Sequence, residues 1–160
     1  MCTNSIYLDL HDNPEIKKMK NTFRFLSIAF ALTSCASTTG VVQGKLCFPS
    51  EYVPAMNVYL KASGSTTVYK LVSKENQQTF TFKKIPEGSY VAFAYTTEAT
   101  MLDLNNKKSK GSGGYTRFVP CGLSIDCKDH TLISFKVTKG KTTDAISICD
   151  WYGANVPAEK

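Results

Sequence analysis

Residues 78–84 read Gln-Thr-Phe-Thr-Phe-Lys-Lys, and residues 131–138 read Thr-Leu-Ile-Ser-Phe-Lys-Val-Thr. Phe80 and Phe82 alternate with Thr79, Thr81 and Lys83, while Ile133, Phe135 and Val137 alternate with Ser134, Lys136 and Thr138. Successive side chains of an extended chain point to opposite faces. Such alternation therefore builds a sheet with one buried and one wet face, and denies the chain the apolar stripe of a helix. Comparable segments rich in aromatic and β-branched residues occupy 40–48, 56–62, 67–73, 90–97, 115–119 and 143–149. Their length and spacing predict an all-β fold, a seven- to eight-stranded antiparallel β-sandwich. Pro86-Glu87-Gly88 reads as a tight turn in which Pro sets φ and Gly takes a positive value, and Lys139-Gly140-Lys141 reads as a hairpin connection. Residues 98–114, rich in Lys, Asn, Ser and Gly, read as an exposed irregular loop and a possible binding loop.

Ahead of the strands, Met19 opens a different kind of segment. Lys20 and Arg24 precede an apolar run from Phe25 to Leu32, then Thr33, Ser34 and Cys35. A basic start, a short apolar stretch and small residues make a signal peptide helix, too short to span a membrane in the mature protein. Leu32-Thr33-Ser34-Cys35 resembles the lipobox of bacterial lipoproteins. That resemblance implies cleavage before Cys35, a diacylglyceryl thioether on its sulfur and a membrane anchor; Ala36, where Asp would hold the protein at the inner membrane, implies the outer membrane. Residues 1–18 then read as an upstream extension from a misassigned start, 19–34 as the signal peptide, 35–39 as the lipidated cysteine with a short tether, 40–153 as the sandwich and 154–160 as a tail. Removing residues 1–34 takes four of the 19 basic and three of the 13 acidic residues, and the formal charge falls from +6 to about +5. The basic residues form no dense run, so this excess reads as solvated surface and no nucleic-acid partner is expected.

Six cysteines behind a secretory signal imply disulfides. With Cys2 and Cys35 set aside, Cys47, Cys121, Cys127 and Cys149 allow three connectivities. Cys47 ends the first expected strand and Cys149 the last, whereas Cys121 and Cys127 bracket five residues, which favours Cys47 with Cys149 and Cys121 with Cys127. Zinc is the rival, but no Cys-x-x-Cys pair is present. Asp126, Asp129, His130 and Asp150 are weak candidates for a divalent cation, set against turn capping by the aspartates and an edge role for His130. Phe48, Tyr52, Trp151 and Tyr152 flank the expected terminal disulfide, either as a partner surface or as a plug for the end of the sandwich.

The segments Val-Val-Gln-Gly-Lys-Leu-Cys-Phe (41–48), Pro-Ala-Met-Asn-Val-Tyr-Leu-Lys-Ala (54–62), the stretch from Thr79 through Ile85-Pro86-Glu87-Gly88-Ser89-Tyr90, and residues 133–148 resemble, in this order, the carboxypeptidase regulatory-like domain. The resemblance implies a prealbumin-like sandwich whose 79–95 stretch is a hairpin, and an accessory role without a peptidase zinc site. No nucleophile elbow, His-Glu-x-x-His or phosphate-cradling loop is present, so no catalytic residue and no cofactor are expected. The functional expectation is a lipid-anchored envelope protein acting as a non-catalytic binding or structural module, its partner an envelope protein or a polysaccharide. Alternatives are an accessory lipoprotein of an envelope assembly such as a secretion system, on fold analogy, and a small metal-dependent enzyme.

Overall fold

Strands form where alternation is strict, over nearly all of the expected 78–84 but, of the expected 131–138, only over Phe135–Val137. In the computed structural model, which describes residues 38–99, 101–102 and 106–159, the strands are β1 (Thr39–Leu46), β2 (Met56–Ala62), β3 (Val68–Val72), β4 (Thr79–Pro86), β5 (Gly88–Thr96), β6 (Met101–Leu102), β7 (Lys108–Ser109), β8 (Ser112–Gly114), β9 (Phe135–Val137) and β10 (Thr142–Ile148). No helix occurs among the described residues, and none there is long and apolar enough to cross a membrane. The signal segment, Cys2 and the lipobox cysteine Cys35 lie outside the described residues.

One sheet has the order β10-β1-β4 and the other β3-β2-β5-β8, with β9 also on β5. β8 pairs with Phe93–Tyr95 and β9 with Gly88–Tyr90, so the two lie end to end along one edge of β5. Val42, Leu46, Phe80, Phe82, Ile85, Ile146 and Ile148 from the first sheet form one cluster with Val58, Leu60, Tyr90, Ala92, Ala94 and Val137 from the second. Burying each of the larger of these side chains contributes roughly 1.5–3 kcal/mol. The architecture is sandwich-like and all-β.

Several local expectations are corrected. The sheets are not wholly antiparallel, because β1 pairs with β10 in parallel, Val41 opposite Thr142 and Leu46 opposite Ile148. Pro86-Glu87-Gly88 does not close a hairpin: it carries the chain from β4 in one sheet to β5 in the other, where Tyr90 Oη donates to the Pro86 carbonyl at 3.0 Å. The positive φ falls on Lys84 (59°) rather than Gly88, at the point where the β1–β4 register slips. Lys139-Gly140-Lys141 likewise joins β9 and β10, which belong to different sheets, and the Gly140 amide donates to the Thr39 carbonyl at 3.0 Å. Residues 115–119 form no strand. Thr116 makes a single bridge to Leu132, after which Val119 and Gly122 bond back three residues in successive turns, as Pro120 and the left-handed Gly122 require. The expected loop 98–114 contains the β6–β7 pair and β8.

Alternation also fails informatively on β2. Met56, Val58 and Leu60 face the core, yet Asn57 and Tyr59 on the other face are buried as well. Tyr59 stacks on Phe93, centroids 5.2 Å apart, and the C-terminal residues lie across them: Tyr95 Oη donates to the Pro157 carbonyl at 2.8 Å, and Glu159 reaches Asn57 and Tyr59.

Both expected disulfides are present, Cys47 with Cys149 and Cys121 with Cys127. The first closes a loop of 102 residues and the second one of 6. By loop-closure entropy, Cys47→Ala/Cys149→Ala should lower the unfolding free energy by about 4–5 kcal/mol, and Cys121→Ala/Cys127→Ala by about 2 kcal/mol, in urea titrations of the oxidised proteins.

Candidate functional site

The last change of sheet builds the site. After Cys149 the chain leaves the β10 line, and Asp150 pairs with Gly114 at the end of β8: the Gly114 amide donates to the Asp150 carbonyl at 2.9 Å, and the Asp150 amide returns to the Gly114 carbonyl at 3.3 Å. This carries Trp151 over the backbone of Gly113, where any side chain would fall within 2.6 Å of the indole. Trp151 is 5 % exposed, its Nε1–H donates to the Cys47 carbonyl at 2.7 Å, and Phe48 meets it edge-on at 5.1 Å. Trp151 is therefore core rather than partner surface, because a glycine makes room for its ring and a carbonyl takes its proton. Phe48 is partly buried against it, whereas Tyr52 and Tyr152 are exposed.

Asp150 itself is wholly buried. An acid in that position must be hydrogen-bonded. Its Oδ2 accepts from Thr116 Oγ1–H at 2.7 Å and lies 2.8 Å from His130 Nδ1, while its Oδ1 accepts the Tyr152 amide at 3.1 Å. The bond to Asp150 fixes the imidazole through Nδ1, and Phe118 lies against the ring with centroids 4.5 Å apart. The remainder of the His130 ring lines an open groove of about 410 Å³ with Phe118, Leu123, Ile125, Cys127, Lys128 and Tyr152.

The groove is apolar in an unusual way. Ile125 is 92 % exposed and Leu123 is half out of the protein, both on the segment stapled by Cys121 and Cys127. Leu123 holds a left-handed φ of 55°, and its amide donates to the Phe118 carbonyl at 3.1 Å. The staple and that bond keep two aliphatic side chains displayed to solvent instead of collapsed on the core. An exposed apolar cluster of this kind is a feature of contact surfaces.

The four candidate cation ligands are not brought together. His130 and Asp150 meet, but Asp126 is exposed, and Asp129 accepts the Thr131 amide at 2.9 Å with Arg117 Nε at 3.6 Å. The hydrogen bonds from Thr131 hold the Asp129 carboxyl below the usual range. Among the described residues no group of three His, Cys, Asp or Glu is placed to hold a metal ion. An Asp-oriented imidazole is a general base in many enzymes. Here the neighbouring Cys127 sulfur is held in a disulfide, and Thr116 spends its proton on Asp150.

Comparison with protein-family models, curated proteins and solved structures finds no match for this chain. The site rests on its own geometry.

Thr116, Phe118, Leu123 and Ile125 were not among the sequence candidates. The signal available for two of them was an aliphatic pair inside a Cys-bracketed segment, Cys-Gly-Leu-Ser-Ile-Asp-Cys. Replacing the buried acid is the sharpest probe of the arrangement: Asp150→Ala strands the Thr116 hydroxyl and the Tyr152 amide and should cost about 3–5 kcal/mol in urea titrations, whereas Asp150→Asn should cost about 1–3 kcal/mol.

Proposed function

We propose that this chain is a lipid-anchored protein of the bacterial envelope, and that its disulfide-bonded sandwich is a non-catalytic binding module that docks a protein partner on the groove beside His130. The observation that carries the binding reading is the display of Leu123 and Ile125 on a covalently closed segment, flanked by the aromatic rings of Phe118 and Tyr152. Aliphatic tips with aromatic walls suit another protein's side chains better than a hydrated polysaccharide. Two disulfides support an oxidising, non-cytoplasmic compartment. Leu32-Thr33-Ser34-Cys35 supports the anchor, and the order of apolar segments supports kinship with the carboxypeptidase regulatory-like domain. With the anchor on Cys35 and β1 beginning at Thr39, the sandwich would sit close to the lipid surface and its partner would be another envelope component.

Two measurements test this. Mass spectrometry of detergent-extracted protein should find an acylated amino terminus at Cys35 and no free thiol among Cys47, Cys121, Cys127 and Cys149, and Cys35→Ser should move the chain from the membrane to the soluble fraction. An unacylated chain that retains Met1 and reduced thiols overturns the location. A photo-crosslinker at Ile125 should capture one envelope protein, lost on Leu123→Asp, with stability changed by no more than about 0.5 kcal/mol because both side chains are exposed.

A further inference from the structure

The C-terminal residues occupy a site whose chemistry is not that of ordinary sheet packing. On the outer face of β2 and β5, the Glu159 carboxylate takes Asn57 Nδ2–H at 2.7 Å and Tyr59 Oη–H at 3.0 Å on one oxygen, and Lys110 Nζ at 2.8 Å on the other. Two residues earlier, Tyr95 Oη–H donates to the Pro157 backbone carbonyl at 2.8 Å. The receiving groups are preorganised. Tyr59 is stacked on Phe93 and meets Tyr95 edge-on, with Lys70 Nζ 5.4 Å from the Tyr59 ring centre, so neighbours on the sheet fix its ring. Three donors converging on one carboxylate, with a separate donor for a peptide carbonyl, specify an anionic, extended peptide.

Electrostatics points the same way. Burial alone would push the Glu159 carboxyl up, but the hydrogen bonds from Lys110, Asn57 and Tyr59 outweigh it and hold the group below its usual range, so the site favours the ionised form. Lys61, Ser65, Thr66 and Val68 line an adjoining cavity of about 90 Å³ whose other wall includes residues 157–159, which places a second cation beside the bound carboxylate.

We infer that the outer face of β2 and β5 is a binding site for an acidic peptide segment, and that residues 157–159 are a displaceable intramolecular occupant of it. The partner takes the tail's pattern: an extended chain with a backbone carbonyl for Tyr95 and a carboxylate two residues further on for Asn57, Tyr59 and Lys110. An acidic glycan would satisfy the carboxylate donors but would offer Tyr95 no peptide carbonyl. The face is distinct from the groove beside His130, whose lining residues it does not share.

The test uses the full chain and two variants, one ending at Val156 and one carrying Glu159→Ala, with a fluorescein-labelled peptide of residues 155–160 as probe. Fluorescence anisotropy should show both variants binding the peptide at least about tenfold more tightly than the unaltered chain, in which the tail competes, and a peptide with Glu159→Gln should bind about tenfold more weakly. Adding Lys110→Ala and Tyr59→Phe to the Glu159→Ala chain should abolish the gain. If the variants keep both disulfides and the parent circular dichroism yet bind the peptide no better than the unaltered chain, the inference is wrong. Equal binding of the Gln peptide, or polygalacturonate bound in preference to the peptide, also overturns it.

Discussion

Val42, Phe80 and Ile148 from the three-stranded sheet meet Val58, Leu60 and Ala92 from the five-stranded one in a single core, and a chain that supplies both sides of one core has to change sheets. It does so between β1 and β2, between β3 and β4, at 86–88, at 138–141 and after Cys149, and the last three crossings are pinned: Tyr90 to the Pro86 carbonyl, Gly140 to the Thr39 carbonyl, and Cys149 to Cys47 with Trp151 locked on the Cys47 carbonyl. The last crossing is held by a covalent bond, a backbone bridge and a buried acid together, and it is the one that shapes the candidate site. Fixing the fold and positioning His130 are thus two effects of the same contacts.

Residue pattern made β2 legible to its ends and most of the other long strands to within one or two positions, because a strand with one face in the core and one in water must alternate. It misled wherever tertiary context set the outcome. Residues 115–119 have strand-like side chains but run into Pro120 and the left-handed Gly122, and the chain turns instead. The Pro86–Gly88 and 139–141 turns were visible as turns, but whether a turn closes a hairpin or crosses between sheets depends on which neighbour a strand finds, and local composition does not encode that. The buried outer face of β2 was invisible for the same reason: Tyr59 is covered by residues a hundred positions away.

At the site, the sulfur pairing was readable because only one choice joins strand ends that a sandwich brings together, and Asp150 and His130 stood out as chemically capable. Their meeting was not readable, since it depends on Asp150 bridging to Gly114. Thr116 gave no signal at all, because a hydroxyl acquires importance here only by facing a desolvated carboxylate. The neighbours of Trp151 in sequence left partner surface and plug equally open, and the missing side chain of Gly113, far away along the chain, is what admits the indole to the interior.

The parallel partnership of β1 and β10 joins segments about a hundred residues apart, Leu46 beside Ile148. A polypeptide delivered amino end first therefore has its opening strand ready long before that neighbour exists, and such remote pairings form late. During that interval Cys121 and Cys127 become accessible to Cys47 before Cys149 does. Vectorial synthesis thus offers Cys47 two wrong partners before its own, and the six-residue separation of Cys121 and Cys127, which lets them close on each other first, is what leaves Cys47 free for Cys149.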